Sequence, residues 1–381
     1  MATIGALLVV LIMACIIGNL FVIVAILTER DLKTRPQYYL IFSLAIADLL
    51  VGVIVTPFGA WSTITRMWTF GVELCDFWIS IDVLVCTSSI LHLVAIALDR
   101  YWSVTDVSYV QNRTPHRIFG MLGVIWLLSL LISLAPMFGW KDSDFYRRVM
   151  EQHVCLISQQ ISYQVFSTVT AFYIPLCAII SIYYKIMRAV KSRFKRERER
   201  RKTANYSYKN VRYQEQERCL LKSKRGNYGD NGSEKIAITT NATSEEQLSR
   251  DMTKTRPDQC NLQSMNGKSH LKKLNVSIRR KGGCFKENAE MKRERKAWRT
   301  LAIITGTFVA CWTPFFLISL YRPICRCKIP ELLESITNWL GYLNSALNPV
   351  IYTVFSNDFR TAFKRILARL LFVKMPRSQH R

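Results

Sequence analysis

Seven long apolar segments constrain the fold of this chain more than any other feature of its sequence. Each holds roughly 20 or more mostly apolar residues, the length that an α-helix needs to cross a lipid bilayer. Backbone groups cannot stay unpaired in lipid, so these segments are expected to form helices rather than open strands. The predicted spans cover residues 4–27, 37–60, 74–104, 117–137, 161–188, 298–320 and 332–354.

The spans divide the 381 residues into four parts. Residues 1–191 hold the first five predicted helices, and residues 292–355 hold the last two. Residues 192–291 are rich in Lys, Arg, Asn, Ser, Gln and Glu and have few large apolar residues. Such a segment cannot bury enough surface to offset its chain entropy, so we expect it to be a disordered loop. Its ends differ, because residues 185–202 and 292–299 are expected to be charged continuations of the fifth and sixth helices. Residues 356–381 follow the last span as a short tail.

The tail predicts a short amphipathic helix, because it opens with the helix-start pattern Ser356-Asn357-Asp358. Apolar residues then recur at helical spacing opposite three basic residues, which suits a helix on the inner leaflet; a frayed, solvated tail is the alternative. The chain is therefore predicted to be an all-α membrane protein, a seven-transmembrane helix bundle with a short amphipathic eighth helix. The apolar residues are Phe359, Phe363, Ile366, Leu367 and Leu370, and the basic ones are Arg360, Lys364 and Arg365.

Basic residues predict the orientation of the bundle. Most of the 52 Lys and Arg residues fall in the 28–35 and 105–117 loops, the 192–291 tract and the tail, which all open to one side. By the positive-inside rule that side is the cytoplasm, so we expect a plasma-membrane protein with an extracellular N-terminus, an uncleaved first span and a cytoplasmic C-terminus. The net charge of +25 then matches anionic lipid rather than nucleic acid, because it forms no folded basic face.

The third span carries two ionisable sites that lipid would normally exclude. Asp82 lies near one end, and Asp99-Arg100-Tyr101 closes the other, about 27 Å away at ~1.5 Å per residue. A charge inside the bilayer costs at least ~2.5 kcal/mol, so an acid retained there indicates a function. The alternatives are an internal ion pair and a bound ligand ammonium. No Lys or Arg lies in the middle of another span, which favours the ligand.

Aromatic residues of the last two spans extend this predicted site. Trp312, Phe315 and Phe316 follow i, i+3, i+4 spacing on one helix face, and Trp339 and Tyr342 lie on the next span. They are either ordinary core aromatics or a cage around a cation, in which each contact is worth about 0.5–2 kcal/mol. The sequence shows no nucleophile–base pair, phosphate loop or metal cluster, so we predict a binding protein and no enzyme.

Short motifs follow one another along the spans in a fixed order. They are Gly18-Asn19, Leu44-Ala45-Ile46-Ala47-Asp48, Asp99-Arg100-Tyr101, Trp126, Pro175 with Tyr183, Cys311-Trp312-Thr313-Pro314, and Asn348-Pro349-Val350-Ile351-Tyr352. Together they resemble the class A (rhodopsin-like) G-protein-coupled receptors over essentially the whole membrane portion. An opsin is excluded because residues 336–355 contain no lysine for a Schiff base. A transporter is not favoured, because no pair of Gly/Pro-broken related halves is evident.

Within this family the chain resembles the biogenic-amine receptors, in which the acid matching Asp82 anchors the amine and the hydroxyl matching Tyr342 holds that acid. Ser167, Thr168 and Ala171 resemble type-1 and type-7 serotonin receptors, whereas catecholamine, octopamine and tyramine receptors usually have a serine in place of Ala171. An unpaired buried polar group costs ~1–3 kcal/mol, so this difference discriminates between amines. The resemblance places the ligand among Asp82, Val83, Cys86, Thr87, Ile157, Ser167, Thr168, Ala171, Trp312, Phe315, Phe316, Asn338 and Tyr342.

The resemblance also implies partners. A seven-helix receptor of this group would bind serotonin outside and activate a heterotrimeric G protein inside, with arrestin and receptor kinases as further partners. A long third cytoplasmic loop and a short tail resemble the inhibitory Gi/o subgroup, closest to type-1 serotonin receptors of invertebrate kind. The alternatives are an octopamine, tyramine or other biogenic-amine receptor, and a type-7-like serotonin receptor that raises cAMP.

Two further groups of residues are assigned by resemblance alone. The first would hold an allosteric sodium ion, or else form a water-filled polar network without specific sodium binding. In the second, Arg100 would be released from Asp99 and Glu294 to meet the G protein. The sodium group is Asp48, Ser89, Asn344, Ser345 and Asn348. The coupling and switch group is Asp99, Arg100, Tyr101, Tyr183, Glu294, Pro175, Ile90, Phe308, Pro349 and Tyr352.

Cysteines outside the spans resemble the family's disulfide pattern. Cys75 and Cys155 match the disulfide that pins the second extracellular loop to the third helix, which would hold residues Val154, Leu156 and Ile157 over the pocket. Cys325 and Cys327 would close a very tight ring, so whether they pair stays open. The isolated histidine of the third span, His92, is expected to be a satisfied or lipid-edge side chain rather than a proton switch.

Overall fold

A computed structural model describes residues 2–106, 108–109, 113–226, 302–322, 324–325, 327 and 329–371. This described part consists of helices and their connections. We name the long helices α1 to α8, and two short helices, Arg30–Lys33 and Phe145–Met150, lie in the α1–α2 and α4–α5 connections. The long helices are α1 Ala2–Thr28; α2 Gln37–Leu50, Val51–Val55 and Thr56–Thr65; α3 Gly71–Thr105; α4 Pro115–Leu134; α5 Ile161–Thr168, Val169–Tyr173 and Ile174–Gly226; α6 Ala302–Arg322; α7 Glu331–Phe355; and α8 Asn357–Leu370.

Six of the described helices, α1 to α6, are long and apolar enough to cross a membrane. The helix α7 has 25 residues, but it carries polar side chains along the face that it buries. Asn344, Ser345 and Asn348 are each at most 4% exposed, so they face other helices rather than lipid. The seven predicted spans therefore correspond to α1–α7, with residues 298–301 of the sixth span outside the described residues.

Two helices contain a π-helical turn just before or beside a proline. In α2 the turn is Val51–Val55, and Pro57 follows within the next stretch. In α5 the turn is Val169–Tyr173, and Pro175 follows. Proline has no N–H to donate and its ring crowds the preceding turn, so a widened turn lets the helix continue. The turn in α5 lies beside the residues that we predicted to bind the ligand.

The helix α3 lies at the centre of the bundle and packs against α2 and α4, while α1 packs against α2, α7 and α8. One large apolar cluster fills the space between them and includes Leu44, Ile90 and Phe172. Apolar residues on the outward faces, such as Leu127 of α4, remain exposed. A soluble protein would rarely expose so much apolar surface, but a lipid-facing surface requires it.

His92 links three helices through a chain of buried hydrogen bonds. Its Nδ1 lies 2.7 Å from the Ser88 carbonyl oxygen, and its Nε2 lies 2.8 Å from the Ser43 hydroxyl. Because the carbonyl only accepts, Nδ1 carries the proton and Nε2 accepts from Ser43, whose oxygen in turn accepts from the Trp126 indole N–H at 3.0 Å. His92 is a satisfied interior side chain, as we expected, and it joins α2, α3 and α4.

The helix α8 is held against α1 and α2 by apolar and ionic contacts. Phe359 and Phe363 are buried, and Phe359 lies edge-on to Tyr38 with ring centroids 5.5 Å apart. Arg365, which we placed on the solvated basic face, instead pairs with the buried Glu29 at 2.7 Å. The buried acid needs a cation, and helix geometry brings Arg365 to it. Leu367 and Leu370 of the predicted apolar face remain exposed.

The described residues divide into two units, one within residues 1–190 and 291–381 and the other within residues 191–290. In the second unit the helix that begins at Ile174 continues to Gly226. The helix runs through Lys202, as the charged residues predicted, and then to Gly226, where we expected disorder, while 227–291 lie outside the described residues. The helix can extend beyond Lys202 because adding residues to an existing helix needs no new nucleus and because Lys, Arg, Glu and Gln are good helix formers.

Candidate functional site

A cavity opens between α3, α5, α6, α7 and the α4–α5 connection. Its empty space, counted with its open mouth, is about 1160 Å³, which is ample for a small aromatic ligand. Every residue that the resemblance assigned to the ligand lines this cavity, and their role in binding stays a prediction, whereas Trp339, which we placed with the aromatic residues of the site, does not line it. These residues are Asp82, Val83, Cys86, Thr87, Ile157, Ser167, Thr168, Ala171, Trp312, Phe315, Phe316, Asn338 and Tyr342.

The Asp82 carboxylate is held in place by two neighbours. The Tyr342 hydroxyl donates to its Oδ2 at 3.1 Å, across from α7, and the Cys86 thiol donates to its Oδ1 at 3.3 Å from the next turn of α3. No Lys or Arg among the described residues forms an ion pair with Asp82, so its carboxylate has acceptor capacity for a cation that enters the cavity. A ligand ammonium would satisfy it with a charge-assisted hydrogen bond.

Aromatic rings pack around the inner end of the cavity. Trp312 lies edge-on to Phe315 with centroids 5.6 Å apart, and Phe316 stacks on Phe172 of α5 at 4.4 Å. Tyr342 lies edge-on to Trp312 at 6.4 Å, so the ring that touches Asp82 belongs to the same cluster. Such a cluster presents ring faces to a bound cation and ring edges to an aromatic ligand.

The α5 wall of the cavity carries two adjacent hydroxyls. Ser167 donates to the Gln164 carbonyl oxygen at 3.3 Å, whereas the Thr168 hydroxyl has no hydrogen-bond partner among the described residues. Ala171 follows one turn further along the same wall. This wall therefore offers one or two hydroxyls to a ligand, and the methyl group of Ala171 offers no polar partner.

The α4–α5 connection covers part of the cavity. The Cys75–Cys155 disulfide, with Cα atoms 5.8 Å apart, ties it to α3 as we predicted. Leu156 and Ile157 then line the cavity, but Val154 does not and remains exposed. The chain turns between them, and only the residues after Cys155 reach inward.

A buried ion pair stiffens this connection. Arg148 bonds both carboxylate oxygens of Asp142 at 3.1 Å, and the Gln159 N–H donates to the same carboxylate at 2.9 Å. Partial burial raises the pKa of Asp142, but these hydrogen bonds and the charge of Arg148 outweigh it and hold that pKa below its usual value. Asp142 therefore stays ionised and keeps its partners over the neutral pH range.

Two polar contacts join helices at the mouth of the cavity. Ser319 of α6 donates to the Gln164 side-chain oxygen of α5 at 2.9 Å. Arg322 of α6 forms an ion pair with Glu334 of α7, and both side chains line the cavity and are about one-fifth exposed. Beyond them Cys325 and Cys327 are disulfide-bonded in the structure, with Cα atoms 5.2 Å apart.

A second buried acid lies below the cavity. Asp48 accepts from the Asn348 amide at 2.8 Å and from the Ser89 hydroxyl at 3.4 Å, and Ser345 also hydrogen-bonds to it. The side-chain oxygens of Asn344 and Asn348 are buried without a hydrogen-bond partner among the described residues. The structure thus joins Asp48 to three of the other four predicted sodium-site residues by hydrogen bonds, and the fourth, Asn344, lies one turn before Asn348 on α7.

The Arg100 end of the bundle differs from our expectation. Asp99 pairs with Arg113 at 3.0 Å, and the described residues contain no ion pair of Arg100 with Asp99. The α3–α4 connection places Arg113 beside the carboxylate, whereas neighbouring residues on a helix, such as Asp99 and Arg100, point apart. Glu294 lies outside the described residues.

The other switch residues are distributed as the motifs predict. Tyr183 of α5 shares a hydrogen bond of 2.8 Å with Thr305 of α6. Phe308 is buried 6.3 Å from Trp312, between ring centroids. Tyr352 stacks on Phe359 of α8 at 5.3 Å. Ile90, Pro175 and Pro349 are also buried.

Comparison with known proteins assigns the family. The sequence profile of the family described as 7 transmembrane receptor (rhodopsin family) matches residues 18–352, from α1 nearly to the end of α7. The chain belongs to this family of rhodopsin-like receptors. The predictions of a seven-helix membrane receptor and of a protein that is no enzyme are therefore confirmed.

Several serotonin receptors are similar to this receptor over most of their length. It is 42% identical over 382 residues to the 5-hydroxytryptamine receptor of Heliothis virescens, which covers 92% of this chain and 81% of the relative. It is 41% identical to the 5-hydroxytryptamine receptor of Bombyx mori, over 94% of this chain and 82% of the relative. The 5-hydroxytryptamine receptor 1A-alpha of Takifugu rubripes is 38% identical, over 94% and 86%.

The receptor's cavity also has lining residues that sequence reasoning missed. Most are polar or charged and lie one or two turns above the predicted ones on the same helix faces, so extending the helical spacing toward the span ends would have found them. The aromatic Trp78 lies one turn before Asp82, so the same extension of the helical spacing would have found it. The missed residues are Trp78, Ile79, Gln159, Gln164, Ile318, Ser319, Arg322, Glu334 and Thr337.

Proposed function

We propose that this protein is a cell-surface serotonin receptor that couples agonist binding to activation of a heterotrimeric G protein. The observation that carries the proposal is the Asp82 carboxylate, which faces an aromatic-lined cavity and has a hydroxyl from α7 to fix its position. The names of its relatives support serotonin as the amine, because the chain is 38–42% identical to receptors called 5-hydroxytryptamine receptors.

Serotonin would bind with its ammonium group on Asp82 and its indole ring between Phe315, Phe316 and the α5 wall. Its hydroxyl and indole N–H need only the hydroxyls of Ser167 and Thr168, so Ala171 leaves no ligand group unpaired. A ring hydroxyl directed at Ala171, where catecholamine and octopamine receptors usually have a serine, would find no partner there, which costs ~1–3 kcal/mol for an unpaired buried group. Octopamine and tyramine receptors remain the competing class because they share the acid and the aromatic cluster.

The signalling half of the proposal rests on the opposite end of the bundle. We infer that the N-terminus is extracellular and that the basic Arg100 end faces the cytoplasm of a plasma-membrane receptor. Agonist would bind two receptor states with different affinity and so favour the one in which α6 has moved and Arg100 meets the G protein. An inhibitory Gi/o protein that lowers cAMP is the proposed partner, with arrestin and receptor kinases acting later; a type-7-like rise in cAMP is the alternative.

Asp48 is the proposed ligand of an allosteric sodium ion. Its carboxylate and the side-chain oxygens of Ser89, Asn344, Ser345 and Asn348 are the hard oxygen ligands that such a cation needs, and the unpaired Asn344 and Asn348 oxygens fit the demand. A bound sodium ion would supply positive charge to the buried acid. Added sodium chloride should then weaken serotonin binding relative to potassium chloride, and Asp48→Asn should remove that difference.

One panel tests the proposed ligand and coupling. Cells that display the receptor are exposed to serotonin, dopamine, octopamine, tyramine and histamine, while cAMP and calcium are recorded. The strongest response is expected for serotonin, as a fall in cAMP. A stronger response to octopamine or tyramine would refute the ligand, and a rise in cAMP would refute the inhibitory coupling.

A pair of variants tests the anchoring acid. Asp82→Asn removes the charge that meets the ammonium, so serotonin binding should fall by at least about tenfold, since a hydrogen bond to a charged group contributes ~1.5–3 kcal/mol. Asp76→Asn is the matched control, because Asp76 lies on the same helix but pairs with Lys141 outside the cavity lining. Unchanged binding in Asp82→Asn, or an equal loss in both variants, would refute the anchoring role.

A further inference from the structure

The Asp99 carboxylate has two partners in the α3–α4 connection. Arg113 Nη2 lies 3.0 Å from its Oδ2, and the Tyr109 hydroxyl donates to its Oδ1 at 3.0 Å. Asp99 is only 2% exposed, and the Arg113 side chain is 11% exposed. Both oxygens of the acid are thus occupied inside the protein by residues that are neither on α3 nor adjacent to Asp99 in sequence.

The Arg113 guanidinium is itself held by further contacts. It donates to the Gln37 side-chain oxygen of α2 and to the Ser103 hydroxyl of α3. It also lies over the Tyr109 ring, with 5.4 Å between its central carbon and the ring centroid. A planar guanidinium with several fixed donors can satisfy all three groups, which a lysine ammonium on a flexible stem would do less well.

These contacts leave Arg100 without Asp99 as a partner. The two residues are neighbours on α3, and the described residues contain no ion pair of Arg100. We propose that Arg113 is a positioning residue that holds Asp99 away from Arg100 and so keeps Arg100 available to the G protein. Arg113 acts through Asp99 and need not touch the G protein itself.

The proposal rests on the proposed coupling to a G protein, and the experiment separates the two. Guanine-nucleotide exchange is measured with membranes of cells that display equal numbers of tagged receptors, with and without serotonin. Purified G proteins of the inhibitory, stimulatory and calcium-mobilising classes are each added. If the wild-type receptor drives exchange on none of them, the proposed function and this inference both fail.

With a coupled wild-type receptor, Arg113→Gln should reduce basal and stimulated exchange by at least about fivefold, because Asp99 is then free to pair with Arg100. Arg113→Lys keeps the positive charge beside Asp99 but holds the other contacts less well, so its exchange should lie between that of Arg113→Gln and that of the wild type. Arg117→Gln is the matched control, because Arg117 also lies over the Tyr109 ring, at 5.8 Å, but is exposed and forms no described ion pair with Asp99.

A double variant shows whether Arg113 acts through Asp99. If Arg113 had a purely structural role, its loss would reduce exchange equally with and without Asp99. In an Asp99→Asn receptor the acid can no longer capture Arg100, so adding Arg113→Gln should leave exchange unchanged. This comparison also avoids a buried, unpaired acid, so it stands if Arg113→Gln alone does not reach the membrane. Equal losses in both backgrounds, unchanged or increased exchange in Arg113→Gln, or a loss in Arg113→Lys as large as in Arg113→Gln would each overturn the proposal.

Discussion

Gly341 of α7 lies against the ring of Trp312, at the inner end of the cavity. A Cβ atom at this position would stand 2.8 Å from Cζ3 and 3.0 Å from Cε3 and Cη2 of that ring. Ordinary contacts begin near 3.4 Å, so the ring must shift by about 0.6 Å or turn before an alanine fits. Gly341→Ala is therefore a small change that acts directly on the binding site.

The ring has little freedom to move away from α7. Trp312 is 6% exposed and packs against Phe308, Phe315 and Tyr342, with centroids 5.6–6.4 Å away. The empty receptor relieves the strain by moving the ring toward the cavity, but a bound ligand takes that space and restores the clash. Overpacking of this kind costs about 1–3 kcal/mol, so serotonin affinity should fall by about 5- to 150-fold.

Saturation and competition binding of serotonin to membranes checks this value, with receptor number measured separately. Gly59→Ala is the matched control on α2, because a Cβ there would meet Trp78, Tyr342 and Trp339 only at 3.8–4.0 Å. That variant should bind serotonin like the wild type. If Gly341→Ala also binds within twofold of the wild type, the geometry of this contact does not limit the site and the reasoning is wrong.

Three further changes test other parts of the structure. Replacing His92 with alanine breaks the hydrogen-bond chain between α2, α3 and α4, which costs about 1–3 kcal/mol of stability. The temperature at which the detergent-solubilised receptor loses ligand binding should fall by several degrees, and an unchanged temperature would contradict this. Glu334→Gln removes the ion pair with Arg322 at the cavity mouth, which is worth at most about 1 kcal/mol at this exposure. Bound radiolabelled serotonin should then dissociate up to about fivefold faster, and an equal rate would show that the pair does not slow ligand release. Glu29→Gln weakens the contact with Arg365, so trypsin should cleave α8 faster than in the wild type, and equal cleavage would show that the apolar contacts alone hold that helix.

The sequence predicted the binding cavity well because its residues are placed by helix geometry. Lipid makes the ends of a span expensive to shift, so span positions follow from composition. Once each span is a helix, motif spacing decides which side chains share a face. Asp82 and Tyr342 are 260 residues apart, yet each is predicted on an inward face, and the structure joins them by a hydrogen bond.

Ionic contacts between connections and helices could not be predicted in this way. The sequence shows that Arg113 and Arg365 are basic, but it does not show that one reaches Asp99 and the other Glu29. Such pairs depend on how a connection folds over the helix ends, for which hydropathy gives no signal. The part of α5 beyond Lys202 was not predicted for a related reason, because composition reports what a segment can bury and not how far a neighbouring helix extends into it.

The polar interior between the two ends of α3 suits the proposed coupling of agonist binding to the G protein. Below Asp82, the side-chain oxygens of Asn19, Asn344 and Asn348 and the Tyr352 hydroxyl are buried without a hydrogen-bond partner among the described residues. Each unpaired buried group costs about 1–3 kcal/mol, so a single rigid packing with all of them unpaired would be disfavoured. A bundle with two arrangements, or with a cation and water between the helices, satisfies them. The polar interior around Asp48 is therefore a poor stabiliser of one state and a suitable element for switching between two.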